Sequence, residues 1–338
     1  MSALPQTMQA ICLRRVPSGM PLADDFALRE MPLPQASADR MLVRTRWLSL
    51  DPFLRAQLGG RYAEPCPPPG SIIPGYGIAE VLGDRSGRHP AGSLVLAATG
   101  WAEYAAVDAT RASAVETGSA PPTTALGVLG IPGLTAWAGV RRILEPRPGQ
   151  TILVSSAAGV VGSVAGQLCK AAGCRVVGIS SSAHKCAIVT REYGFDACIS
   201  HRDGQIADSL RAACPDGIDG YFDNVGGPVL EAALGMLRRN ARVVLCGLID
   251  QYHRAERPPG PNLGPVIAAR ARLEGLVVYD HLAELARCRA ELGAMLAAGS
   301  LHYHEHRVHG LAAVPAAFID LLRGEHHGKV LASLGDPA

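Results

Sequence analysis

From residue 151 onward, short apolar runs rich in β-branched residues alternate with longer stretches whose apolar positions recur at helical spacing. The short runs are TILVSS (151–156), RVVGIS (175–180), DACIS (196–200), IDGYFD (218–223), ARVVLCG (241–247) and RLEGLVVY (272–279). Helical patterns occupy 160–173, 184–193, 228–239 and 281–299. Six strands separated by helices predict an α/β unit with a doubly wound parallel sheet of Rossmann type, because parallel neighbours need crossover connections.

Residues 1–122 are patterned differently. MLVRTRWLSL (41–50), SIIPGYGIAEVLG (71–83), GSLVLAAT (92–99) and WAEYAAV (101–107) read as strands broken by Gly and Pro, so this part is β-rich. APP at 120–122 marks a boundary, and the apolar stretch 123–144 is a helical entry into the next domain, expected to bend near Pro132. After residue 300 come a strand pattern LHYHEHRV (301–308), a helix over 310–323 and a last strand KVLASL (329–334).

A chain of 338 residues has room for two domains. Its net charge of +2 gives no electrostatic footprint for nucleic acid or an anionic membrane. No run of about 20 apolar residues suggests a membrane span, and the first residues do not read as a secretory leader. A cytoplasmic protein is expected. The nine cysteines, at 12, 66, 169, 174, 186, 198, 214, 246 and 288, include no CxxC pair and no spacing suited to a zinc cage, so they are read as reduced thiols.

The most informative stretch is the turn after the first strand of the parallel set. Ala157, Gly159 and Gly162 fit AxGxxG between a strand and a helix, with Val160 and Val161 opening that helix. Gly159 there lets a pyrophosphate approach the backbone, Gly162 lets helix and strand pack closely, and the helix N-terminus offers unpaired N–H groups. Ala157 requires only that the turn stay at negative φ. An acidic residue about 20 positions on would bond the ribose hydroxyls of NAD. The second strand instead ends in Ser180, Ser181 and Ser182, followed by Lys185. Hydroxyls can donate to a 2′-phosphate and an ammonium balances its charge, so the expected cofactor is NADPH.

These residues carry a family resemblance. AAGVVGSVAGQLCKAAGCRVVG, the HK and YGFDA that follow, CPDGIDGYFDNVGGPVLEAAL, RVVLCGLIDQY, GLAAVPAAFIDLLRGEHHGK and the N-terminal SLDPFLR (49–55) resemble the zinc-independent medium-chain dehydrogenase/reductases of the prostaglandin reductase and alkenal double-bond reductase group. The resemblance covers nearly the whole chain. It implies a β-rich GroES-like catalytic domain of residues 1–122 completed by 301–338, a Rossmann domain of 123–300 inserted between, and a homodimer. Zinc-using relatives carry a histidine and a glutamate where this chain has Tyr76 and Gly77, so hydride chemistry here has to polarise its substrate through hydrogen bonds. The activity implied is NADPH-dependent reduction of the C=C bond of enones or enals, the small-molecule substrates of the group. NADPH-dependent quinone reduction and a non-catalytic NADPH-binding interaction protein are the alternatives.

By resemblance, Tyr252 in IDQY lies near the nicotinamide, as a cofactor contact and donor to the enolate. Tyr62 and Tyr279 are further substrate-pocket candidates. Asn224, Cys246 and Gly247 are expected on the cofactor, and Lys185 and Tyr193 near its 2′-phosphate. Two positions depart from the group, which carries asparagine where this chain has His253 and His326; the second asparagine contacts the nicotinamide end of the cofactor in relatives. Finally, His302, His304 and His306 would share one face of a strand over 301–308. That row is read as a solvated edge strand, not a metal site.

Overall fold

The computed structural model describes residues 4–60, 66–254, 256 and 258–335. The chain divides into two compact units, one running to Leu126 and resuming at Glu305, the other spanning Gly127–His304. Each junction lies four residues beyond the position read from sequence, 126 against 122 and 304 against 300.

The first unit opens with a hairpin of β1 (Thr7–Leu13) and β2 (Phe26–Pro32), then β3 (Arg40–Leu50), α1 (Phe53–Leu58), β4 (Gly77–Gly83), β5 (Leu94–Ala97), β6 (Tyr104–Asp108) and β7 (Ser113–Ala114). The chain then crosses into the second unit through α2 (Ile131–Ala138) and alternates β8 (Thr151–Ser155), α3 (Val160–Ala171), β9 (Arg175–Ser180), α4 (Ala183–Arg191), β10 (Ala197–Ser200), α5 (Ile206–Ala213), β11 (Ile218–Asp223), α6 (Gly227–Leu234), β12 (Leu237–Leu245), α7 (Gly264–Ala269), β13 (Arg272–Gly275) and α8 (Leu285–Ala297). It returns to the first with β14 (Glu305–His309), α9 (Val314–Arg323) and β15 (Lys329–Ser333).

In the second unit the strand order is β10-β9-β8-β11-β12-β13, every pairing parallel. The order reverses between β8 and β11, and in open α/β sheets the crevice at such a switch point, beyond the carboxyl ends of the strands, is where ligands bind. In the first unit β14-β15-β3-β4-β5-β7 form one sheet, with β6 also on β3. Chain return is built into that sheet: β15 lies antiparallel to β3, with Val330 opposite Leu50. Lys329 is 2% exposed there, donating to Leu50 O at 3.1 Å and to the Asp51 carboxylate. Its core includes Phe26, Trp101 and Phe318, with Trp101 and Phe318 edge to face at 5.4 Å between centroids.

Several sequence expectations need correction. Pro132 does not bend a helix: it sits in the first turn of α2, where its missing N–H is no loss. The irregularity comes later, where α2 runs into a π-helical stretch at Gly139–Leu144, and a Cβ on Gly139 would fall 2.5 Å from Phe222. The run after Gly275 leaves the sheet, because β13 pairs with β12 only as far as Leu245, where β12 ends; Val278–Glu284 is a 3₁₀ turn. Likewise 237–239 begin a strand instead of ending a helix. Among the described residues no helix is long and apolar enough to cross a membrane.

Candidate functional site

The site is assembled from loops at the carboxyl ends of the parallel strands. After β8, Ser156 takes the left-handed conformation at φ 51° and reverses the chain. Ala157 is buried and its N–H donates to Ile179 O at 2.9 Å, pinning the turn to β9. Gly159 is the N-cap of α3 and supplies no capping side chain, which leaves the first N–H groups of the helix, those of Val160 and Val161 among them, without an intrahelical acceptor. Gly159 and both valines are partly exposed. The two glycines differ in purpose. A Cβ on Gly162 would lie 2.3 Å from Ser156 O, whereas a Cβ on Gly159 would meet Ser156 Oγ at 3.0 Å. Gly162 closes the helix onto the turn, and Gly159 leaves its outer side open.

After β9, the chain passes through Ser180, Ser181 and Ser182 into α4. Ser182 caps that helix, its Oγ accepting from Lys185 N at 3.3 Å. A lysine in a helix's first turn is ordinarily solvated; Lys185 is only 7% exposed. The segment 180–185 itself carries hydroxyls and this lysine where an NAD site would place a carboxylate. Tyr193, 2% exposed, places its hydroxyl where no hydrogen-bond partner is found among the described residues. Burial, with Glu192 next to it, pushes that phenol well above its ordinary range and keeps it protonated. Sequence reasoning missed His201, whose Nδ1 lies 2.7 Å from Ser180 O, fixing the proton on that nitrogen.

After β11 comes DNVGG, and here the acid does structural work that the motif alone did not reveal. Asp223 is fully buried; its carboxylate accepts from Ser155 Oγ at 3.0 Å, Tyr221 hydroxyl at 2.6 Å, Val225 N at 3.0 Å and Gly226 N at 3.1 Å. Desolvation raises its pKa, and these four donors oppose the rise. Asn224 donates from N to Ser155 Oγ and from Nδ2 to Ser155 O, both at 2.8 Å, so the loops after β8 and β11 are locked together. After β12, Cys246 N and Gly247 N both donate to Asp223 O, at 2.8 and 3.2 Å. Burial pushes the Cys246 thiol up to about 12, so it stays a neutral thiol. Tyr252 folds back over this loop: its hydroxyl oxygen accepts from Leu248 N at 3.3 Å and lies 3.3 Å from where a Gly247 Cβ would stand.

Asn224, Gly247 and Tyr252 are thus brought together. Tyr279 stands on the 3₁₀ turn after β13 and is 56% exposed. Tyr62 lies outside the described residues. His326 belongs to the first unit, its ring stacked on His306 at 3.9 Å between centroids.

The histidine row is not a row. Only Glu305–His309 is strand, because its partner β15 begins at Lys329, opposite Glu305. His302 and His304 stay with the second unit: Gln167 exchanges two hydrogen bonds with the His302 backbone, at 2.7 and 2.9 Å, and His304 Nε2 meets Glu192 at 2.6 Å. Among the described residues no group of three His, Cys, Asp or Glu side chains could hold a metal ion. At position 77, where zinc-using relatives carry a ligand side chain, a Cβ would lie 2.7 Å from Trp47 O and 2.8 Å from Thr99 Oγ1, so only glycine fits.

Residues 160–294 match the family model described as zinc-binding dehydrogenase, and residues 9–115 match that of the N-terminal domain of oxidoreductase. The chain is 36% identical over 325 residues to the NADPH-dependent curcumin reductase of Escherichia coli, covering 93% of each chain. It is 34% identical over 328 residues to the NADP-dependent 2-alkenal reductase of Nicotiana tabacum, covering 94% of this chain and 95% of that one. Among solved structures, CurA from Vibrio vulnificus in complex with NADPH superposes with a TM-score of 0.91 at 36% identity, covering 97% of this chain and all of that one, 100%. With the Rossmann-type parallel sheet, the second β-rich unit and identity along nearly the whole length, the chain belongs to the medium-chain dehydrogenase/reductase family, in the group of the prostaglandin and alkenal reductases.

Proposed function

We propose that this protein reduces the carbon–carbon double bond of α,β-unsaturated ketones and aldehydes with NADPH. The observation that carries the cofactor half is the pairing of an uncapped α3 N-terminus with a buried Lys185 and three serines where an NAD site would place a carboxylate. The substrate half is supported by relatives named for curcumin and 2-alkenals, which share more than a third of the aligned residues with this chain, at 36% and 34% identity.

The residues fit the cofactor. The amides of Val160 and Val161 would take the pyrophosphate at the positive end of α3, while Gly159, whose own N–H donates to Ser156 O at 2.9 Å, leaves room for it to approach. Ser180, Ser181 and Lys185 would take the 2′-phosphate, with the Tyr193 hydroxyl as a neutral donor near them. Asn224, Cys246 and Gly247 would line the nicotinamide half, held in place by the Asp223 hydrogen bonds. When bound, NADPH supplies a hydride to the β-carbon of the substrate, and negative charge develops on the carbonyl oxygen.

Tyr252 then has a definite task. Its oxygen accepts a backbone N–H, so its own hydroxyl proton is what it can give, and a donor aimed at the developing enolate lowers the barrier. The tight Asn224–Ser155 and Asp223 contacts keep the loops that carry this hydroxyl from relaxing during the reaction. Water or a hydroxyl group completes the reduction by protonating the α-carbon. His326 and Tyr279 stay as proposed neighbours of the nicotinamide and the substrate. The reading extends to a cytoplasmic homodimer, supported by the family resemblance; light scattering on the purified protein tests the assembly.

The decisive assay follows loss of reduced-nicotinamide absorbance with NADPH and with NADH against enals, enones, a quinone and a saturated aldehyde. Consumption of NADPH with the conjugated alkenes and not the saturated aldehyde is expected. Silence on every conjugated alkene, from protein that still binds NADPH, would overturn the proposal.

A further inference from the structure

Two cysteines twelve positions apart in sequence meet beside the α4 segment. Cys198 lies on β10 directly opposite Gly178 of β9, and its sulfur is 3.2 Å from where a Cβ of that glycine would be. The missing side chain makes room for the sulfur. Cys186 lies on α4, one residue after Lys185 and four after the capping Ser182, and the Cys198 thiol donates to its sulfur at 3.0 Å. Both residues are partly exposed, whereas Cys12, Cys169, Cys174, Cys214 and Cys288 are buried.

We propose that Cys186 and Cys198 are a dithiol modification site, which a hydroperoxide converts to a reversible intrachain disulfide at the edge of the cofactor sheet. A disulfide is about 2.05 Å long, so the sulfurs need to close by only about 1 Å. The hydrogen bond sets the order of events. Cys198 holds the shared proton as donor and Cys186 accepts it, which leaves Cys186 as the attacking sulfur; that bond and burial both raise the Cys198 thiol above its ordinary range. The Cys186 thiolate attacks one oxygen of the hydroperoxide: an S–O bond forms, the O–O bond breaks, and the other oxygen leaves as alcohol with a proton. Cys198 then gives up its proton and attacks the sulfenic sulfur: the S–S bond forms, the S–O bond breaks and water leaves. Two thiols lose two electrons in total, and the peroxide bond takes them.

In a compartment whose thiols are kept reduced such a bond is transient, which suits a switch. It would tie the first turns of α4 to β10 and draw Lys185 with them. This consequence rests on the proposed reading of Lys185 as the 2′-phosphate ligand. Oxidised protein should then bind NADPH several-fold more weakly and NADH unchanged.

The test treats the purified full chain with one equivalent of hydrogen peroxide, alkylates the remaining thiols and maps the peptides. The expected result is a Cys186–Cys198 cross-link that dithiothreitol reverses; in Cys198→Ser, dimedone should label Cys186 and no cross-link should form. Both thiols recovered alkylated while other cysteines are oxidised would overturn the site. The mapping needs no cofactor, so it stands or falls apart from the function proposed above. A cross-link that leaves NADPH affinity unaltered would overturn the link to Lys185 alone.

Discussion

The turns that leave β8 and β9 prepare for an anion by opposite means. The first does it by omission: Gly159 and Gly162 remove side chains so that helix, turn and ligand can approach. The second does it by supply, placing hydroxyls and a lysine that is 7% exposed. Omission is written in the sequence, because only glycine has no Cβ and its spacing survives any tertiary context. Supply is not, because a lysine in a helix's first turn reads the same whether its end is buried or solvated. Only the folded chain, in which Lys185 is 7% exposed, tells the two apart.

The largest effect should come from breaking the first turn. Gly162→Ala puts a carbon 2.3 Å from a main-chain oxygen that cannot rotate away, so a loss of more than about 3 kcal/mol is expected, read as a collapse of the melting temperature or of soluble yield. Gly159→Ala meets the Ser156 hydroxyl at 3.0 Å, which can turn aside, and the Ser156 main-chain oxygen only at 3.2 Å, against 2.3 Å at Gly162. Its stability should change by less than about 1 kcal/mol, while NADPH affinity falls. Equal destabilisation by both would erase the distinction between packing glycine and ligand glycine.

Next in size is the chemical step. Removing one donor from a developing oxyanion typically costs about 100-fold or more in turnover. Tyr252→Phe should show a loss of that order in kcat with NADPH affinity intact, and an unchanged rate would take the residue out of the mechanism. The supply side of the comparison is sharpened by Lys185→Met, which keeps most of the stem and removes the charge. A charge-assisted contact is worth about 1.5–3 kcal/mol, so the Kd for NADPH should rise by roughly 10- to 150-fold. NADH binding should not move. If both cofactors weaken alike, Lys185 is a buried structural lysine.

The same contrast explains what the sequence conceals elsewhere. The six parallel strands were legible because each is an apolar run punctuated by turn residues, and AxGxxG was legible because of its place between a strand and a helix. A strand, however, lasts only as long as its partner. Leu276 and Val277 continue an apolar run, yet β12 ends at Leu245: Leu276 N makes the last bond, to Leu245 O at 3.0 Å, and no ladder remains for Val277. His302 and His304 alternate correctly with His306, but β15 does not reach them. Asp223 was visible in FDNVGG, while its four hydrogen bonds depend on Ser155 and Tyr221 and on a backbone turn that only the fold brings near. The meeting of Cys186 with Cys198 across Gly178 is of the same kind.

The smallest expected effects separate two ways in which the 302–304 segment is held. Gln167 is 4% exposed, donates to Ser163 O at 3.1 Å and exchanges bonds with both the N–H and the C=O of His302. In Gln167→Leu the shape is nearly kept, but two backbone groups lose their partners away from full solvation, which costs about 1–3 kcal/mol. His304 and Glu192 are also close, yet their side chains are 36% and 47% exposed, so water replaces most of what is lost. His304→Ala should therefore change stability by no more than about 1 kcal/mol. Paired urea titrations of the two variants decide the matter. A larger loss from His304→Ala than from Gln167→Leu would mean that the segment is anchored by its surface contact with Glu192; the opposite ranking makes Gln167, a residue with no visible motif, the reason that the chain stays with the cofactor unit as far as His304.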